Sequence, residues 1–287
     1  MADFDELRNW IGRTEEANDT VLPRQLDAMA ATLDRDDAPA KDGHILPAAW
    51  HWMYFAPAVR HAQLGRDGHP GSSKNGGEFL PPIPLPRRMW AGNEVTVRAP
   101  IQVGENIRRT ATIDDISVKD GRSGTLVFLK IRNAITGDRG ADLDDVLTAV
   151  YRDDPKKSEP PRQPIPARTD EEWSRTITPD PVLLFRYSAL TFNGHRIHYD
   201  RDYTTKVEGY PGLLVHGPLT ATLLLDLARR EQPDKNVSWF RIKAMSPLYD
   251  TEPFTLAGAP AADNKADLWA ADANGNLAME ADIKFGG

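Results

Sequence analysis

Residues Tyr187 to Leu224 read YSALTFNGHRIHYDRDYTTKVEGYPGLLVHGPLTATLL, and they hold three of the chain's seven histidines, His195, His198 and His216. A short apolar-faced segment, Phe185 to Phe192, stops at Asn193-Gly194, a pair that punctuates regular structure. A polar loop follows with His195, Arg196, His198, Tyr199 and Asp200. Gly209, Pro211 and Gly212 then mark turns, and His216-Gly217-Pro218 opens a helix. Pro218 suits a first helical turn, where its missing N–H costs nothing. Leu219, Leu223, Leu224 and Leu227 recur at helical spacing, and Arg229 and Arg230 end the run where the macrodipole favours cations. The pattern is a His-bearing loop beside a buried helix N-terminus. An imidazole moves protons at neutral pH, and free N–H groups at a helix start hold a developing oxyanion, so carbonyl chemistry follows.

The same residues resemble the MaoC-like hydratase/dehydratases, which act on acyl thioesters with a hotdog fold. The usual motif of that family runs from an Asp through an Asn-Pro pair to a His, with a later His-Gly-Met at the start of the central helix. Here Asn193 stands for the Asp, His195 for the Asn, Arg196 for the Pro and His198 for the catalytic His. His216-Gly217-Pro218 stands for His-Gly-Met. The variant TFNGHRIHYD with YPGLLVHGPL, and GGEFLPPIPLPRRMWAG from Gly76 to Gly92, resemble a two-domain branch. That branch includes the mesaconyl-C4-CoA and itaconyl-CoA hydratases and the mitochondrial-type 3-hydroxyacyl-thioester dehydratases.

The resemblance implies a catalytic role for His198 as base, or as acid in the reverse direction. Asn193 would hold the reacting water, since an amide both donates and accepts hydrogen bonds. Gly217 would give its backbone N–H to the thioester oxygen. His195 orients the loop or takes a direct part, His216 fixes the helix start, and Tyr199 and Asp200 brace the loop. Arg87 and Arg88 are candidates for binding a coenzyme A phosphate or a substrate carboxylate, because the guanidinium fork suits both. Arg196 and Lys206 are further candidates.

Composition limits the alternatives. The chain has 287 residues, 40% of them hydrophobic, with a formal net charge of −7. That charge argues against nucleic acid as the main partner. There is no cysteine, which removes disulfides and thiolate chemistry. No apolar run reaches the roughly 18 residues of a membrane span, and the N-terminus has no secretory or Arg-rich transit pattern, so a soluble cytoplasmic protein is expected. A metal is set aside, because no Glu or third His sits at ligand spacing in the loop. No cofactor is expected beyond the coenzyme A of the substrate.

The chain reads as a diverged repeat. VLPRQLDAMAATLD in the first half parallels DPVLLFRYSALTFN, and AAWHWMYFA parallels LTATLLLDLA. Residues 4–12 give a short amphipathic helix. Strands are expected over 93–98, 108–118, 125–133 and 145–151, and again over 237–244, 254–258, 266–271 and 277–285. Asp120-Gly121 and Asn274-Gly275 are hairpin turns. Helix first and antiparallel strands after argue an α+β fold. A sheet round a helix, twice over, is the double hotdog that the resemblance also implies.

The expected domains are an N-terminal hotdog over 1–152, a linker over 153–168 with five prolines, and a catalytic C-terminal hotdog over 169–287. The first half, with no His in Leu33 to Asp37, shapes the acyl pocket and does no chemistry. The four prolines of Phe79 to Arg88 belong to an ordered loop over the site. The expected reaction is hydration of an enoyl-CoA, with mesaconyl- or itaconyl-CoA leading. Longer 3-hydroxyacyl thioesters and a non-catalytic acyl-CoA binder are the alternatives. A thioesterase would need an acid over the thioester, and the helix offers only Asp226. The chain is expected to act as a monomeric pseudo-dimer or as a homodimer.

Overall fold

The computed structural model describes residues 5–69, 79–121, 124–153 and 163–286. Ten strands form one antiparallel sheet. They are β1 (Thr14–Thr20), β2 (Arg87–Ala99), β3 (Asn106–Gly121), β4 (Gly124–Gly137), β5 (Asp142–Arg152), β6 (Trp173–Ile177), β7 (Val237–Ala244), β8 (Phe254–Ala261), β9 (Lys265–Ala271) and β10 (Leu277–Phe285). Their order is β1-β3-β4-β5-β2-β7-β10-β9-β8-β6. Read from either edge, the two sets of five follow the same path, which is the repeat made visible.

The join is short. β2 and β7 pair only at Glu94↔Arg241, Val95↔Phe240 and Thr96↔Trp239. Gly92, at φ +149°, lies against β7, and a Cβ there would collide with the Ile242 carbonyl. No other residue allows that approach without displacing a strand.

Four α-helices accompany the sheet: α1 (Pro23–Thr32), α2 (Pro181–Leu190), α3 (Arg201–Lys206) and α4 (Gly217–Glu231). α1 and α2 start at prolines, occupy equivalent places in the repeat, and touch each other. α4 is the central helix, packed on β6, β8, β9 and β10. Every residue from Leu219 to Ala228 is buried, so it lacks a solvent face. Its two threonines stay satisfied by bonding back one turn, Thr222 Oγ1 to the Pro218 carbonyl at 2.8 Å and Thr220 Oγ1 to that of His216 at 3.3 Å.

The first half does not match this. The expected counterpart of α4, AAWHWMYFA, forms only one 3-10 turn, Trp50–Met53. Ala49 (φ 66°) and Phe55 (φ 61°) bracket it in the left-handed region, which stops propagation. Trp52 Nε1 and His51 Nε2 reach instead for the buried Asp145 carboxylate, at 2.9 and 3.0 Å. The N-terminal helix is likewise a 3-10 segment, Asp5–Trp10, that buries Leu7. β1 and β6 were not among the expected strands.

Where described, the Pro-rich stretch packs Phe79, Leu80, Ile83 and Leu85 on a hydrophobic cluster with Ile113, Val127 and Leu129. It covers a face of the first half's sheet before feeding β2. Much of the expected 153–168 linker lies outside the described residues.

Candidate active site

His198 is buried in a 3-10 turn, Arg196–His198, ahead of α3. Its Nδ1 is 2.8 Å from the Leu214 carbonyl. A carbonyl only accepts, so Nδ1 carries the hydrogen and Nε2 is left with a lone pair. Burial pushes its pKa down to about 4, against the bond to Leu214, which pulls upward, and with a smaller push from His69. At neutral pH His198 is therefore a neutral imidazole with a free acceptor, the form a general base needs.

His216 stacks on it, ring centroids 3.6 Å apart at 20°. His216 is the N-cap residue of α4, and its Nε2 lies 2.8 Å from Ser188 Oγ on α2. Its Nδ1 is buried without a partner among the described residues. Burial holds its pKa well below the usual range, with His198 and His195 adding to the effect. It joins α2, α4 and the His195–Asp200 loop through these contacts.

Gly217 opens α4 directly after His216. Its N–H belongs to the first turn and has no intrahelical acceptor, and Pro218 contributes no donor beside it. A Cβ at 217 would lie 2.5 Å from the Trp90 ring, so the residue must be glycine for Trp90 of β2 to close over the helix start.

Asn193 also closes a turn. Its Oδ1 accepts the His195 backbone N–H at 3.0 Å. The second lone pair of Oδ1 and the amide NH2 remain to meet a water. Tyr199 donates its hydroxyl to the Gly194 carbonyl at 3.0 Å, and Asp200 caps α3 by accepting from Tyr203 N–H. Both contacts lie within the loop, and Asp200 also pairs with Arg196.

The arginines separate. Arg196 bonds Asp200 at 2.7 and 3.0 Å and the Arg66 carbonyl at 3.1 Å, which makes it a strut of the loop rather than an anion site. Arg87 points across to the second half, 3.2 Å from the Tyr210 hydroxyl and 3.7 Å from Glu208. Arg88, next along β2, is on the opposite face and exposed. Lys206 pairs with Asp202 on the surface. Asp226 is far from the chemistry and is shared by Arg35, Arg175 and Arg230 at 2.6, 3.2 and 2.7 Å.

One part of the site was not expected. The turn Gly65–His69 from the first half lies against the His195–Asp200 loop. Arg196 N–H donates to the Asp67 carbonyl at 2.8 Å, and Gly68 (φ +84°) backs onto Gly194 too closely for any Cβ. His69 Nδ1 is 3.2 Å from Asp67 Oδ2, and the His69 ring lies 4.0 Å from that of His195. His195 in turn meets His198 edge-on at 5.4 Å. The four imidazoles form a row. The Asp67-Gly68 pair with His69 beside it was the available signal, a turn dipeptide carrying a titratable residue.

Asp67, His69 and His195 place ligand-capable atoms within 4.8 Å of one another, a gathering that spacing within the loop did not predict. His69 and Asp67 are hydrogen-bonded, and His195 stands further off. His195 Nε2 lies 4.0 Å from Asp67 Oδ2, whereas neighbouring ligands of a tetrahedral zinc lie about 3.4 Å apart.

The family model described as hydroxyacyl-thioester dehydratase type 2 matches residues 49–250. The chain belongs to that family. It is a hydro-lyase of the hydratase/dehydratase class, and its fold is the double hotdog. The chain is 43% identical, over 97% of both chains, to mesaconyl-C(4)-CoA hydratase of Chloroflexus aurantiacus. It is 25% identical to the mitochondrial hydroxyacyl-thioester dehydratase type 2 of Schizosaccharomyces pombe, over 74% of this chain and 77% of that one. Among solved structures, HtdX of Mycobacterium tuberculosis superposes with a TM-score of 0.65 at 20% identity, covering 95% of this chain and all of that one. Another protein of that organism, described as a double hotdog, gives a TM-score of 0.58 at 12% identity, with 96% of each chain covered. No helix among the described residues is long and apolar enough to cross a membrane.

Proposed function

We propose that this hydro-lyase adds water to the double bond of a five-carbon dicarboxylic enoyl-CoA of the mesaconyl or itaconyl type. The observation that carries the chemistry is His198, neutral, buried and fixed through Nδ1, beside the open first turn of α4. His198 Nε2 takes a proton from water as the oxygen attacks the β-carbon. The thioester oxygen gains charge and is held by the Gly217 N–H and the helix dipole. His198 then returns the proton to the α-carbon.

The substrate class rests on the likeness to the Chloroflexus hydratase over nearly the whole length of both chains, and Arg87 is the cation offered to the free carboxylate. Arg87 already meets Tyr210 and Glu208, which would orient its fork. The second reading, dehydration of longer 3-hydroxyacyl thioesters, follows the yeast relatives. Purified protein with mesaconyl-, itaconyl- and crotonyl-CoA, followed by enoyl-thioester absorbance, separates them. Turnover of the dicarboxylic substrates alone is expected, with Arg87→Ala raising their KM. Turnover of crotonyl-CoA alone would move the assignment to the dehydratase. The two-half chain works as a monomeric pseudo-dimer or as a homodimer, which sedimentation distinguishes.

A further inference from the structure

Water poised for addition has two O–H bonds to place, and His198 Nε2 accepts only one. Asn193 Oδ1, the acceptor at the family's carboxylate position, already accepts the His195 N–H and has one lone pair left. The carboxylate that does face this loop comes from the other half of the chain. Asp67 Oδ2 lies 4.0 Å from His195 Nε2, and its backbone is bonded to Arg196. His195 is 16% exposed at its side chain, between the His69 ring and the edge of His198.

We propose that Asp67 and His69 position His195 as the second acceptor for the reacting water, so that the site is built from both halves of the chain. The inference rests on the hydratase reading. An anionic oxygen facing Nε2 favours the tautomer with its hydrogen there, which leaves the lone pair on Nδ1. Water then donates one O–H to His198 and the other to His195. As oxygen bonds to the β-carbon, the proton facing His198 moves to it, and the electron pair of the double bond shifts toward the thioester oxygen. The resulting enolate takes that proton at the α-carbon. The hydroxyl keeps its second hydrogen, so H and OH are both accounted for and His195 stays neutral throughout. Burial keeps it so, with His69 and His198 in the same direction and Asp67 opposing. The other charged groups beside it, Arg196 and Asp200, neutralise each other, and His216 lies beyond His198.

Asp67 and His69 are positioning residues in this scheme, and their test must not depend on folding alone. Asp67→Asn keeps an oxygen for the His69 N–H, 3.1 Å away in the native turn, and replaces the anionic Oδ2 that faces His195 by a neutral NH2. Its kcat should fall about tenfold or more with KM little changed. His195→Gln should fall at least as far, and the double variant no further than His195→Gln, because the two act as one unit. Nitrogen-15 NMR of the His195 ring in the resting protein should show the Nε2–H tautomer, moving toward a mixture in Asp67→Asn. An unchanged kcat, a fully additive double variant or an unmoved tautomer would each overturn the inference. The NMR result stands whether or not the wild-type protein hydrates any chosen substrate, so the two proposals fail separately.

Discussion

The rings of His198 and His216 stack 3.6 Å apart, and among the described residues neither is bonded to a carboxylate. Two imidazoles this close cannot both be charged without strong repulsion, and burial disfavours even one charge. The pair is therefore a neutral unit, with the His216 ring as a floor under His198.

Acid should weaken the fold through these rings. The ordinary pKa of His198 is 6.5, and in the fold it is near 4. As pH drops, the unfolded chain binds the proton first, so stability is full above about 6.5 and is lost as pH falls toward 4. Each such histidine contributes a slope of up to about 1.4 kcal/mol per pH unit in that window. Urea midpoints between pH 7 and 5 should fall more steeply in the wild type than in His198→Gln. Equal slopes would mean His198 is not held neutral.

Turnover by His198→Ala should drop about a hundredfold to ten-thousandfold, with acyl-CoA binding kept. Isothermal titration beside steady-state kinetics measures both. Retained activity would remove His198 from the mechanism.

Gly217→Ala should cost stability and rate together. The new Cβ would press on Trp90, whose Nε1 is tied to Asn93 at 2.6 Å and through it to buried Asp145. Overpacking of this kind costs about 1–3 kcal/mol. Trp90→Phe in the same chain should recover part of both losses, a test readable by thermal melts and kcat.

Asn193→Asp should fold and keep most activity, because an Asp Oδ also accepts the His195 N–H. Asn193→Ala should lose about 1 kcal/mol with the turn. A collapse of kcat in the Asp variant would return a direct chemical role to Asn193.

Much of this was legible in local pattern. β7 and β10 fall at their expected bounds, and α4 announces itself by proline, leucine spacing and terminal arginines. β1, TEEANDT, escaped because it is a polar edge strand with one solvated flank, and β6 because five residues at the other edge carry little periodicity. The missing helix of the first half was illegible for a different reason. Its aromatic run reads as helix, but tertiary partners for Trp52 and His51 override propensity. Within the site, the loop residues were found from their motif. Asp67 and His69 were not, because contacts between distant parts of a chain leave no periodic trace.

The three-residue seam between β2 and β7 carries an evolutionary consequence. In a homodimer every substitution is written into both subunits at once, so a change that helps one copy burdens its twin. Fusing the copies into one chain ends that bargain. Here one half holds the full helix α4 and the rings of His195, His198 and His216, while the other holds only a 3-10 turn at the matching place and carries the Asp67–His69 turn. Asymmetry of that kind is open to a duplicated gene and closed to a repeated subunit.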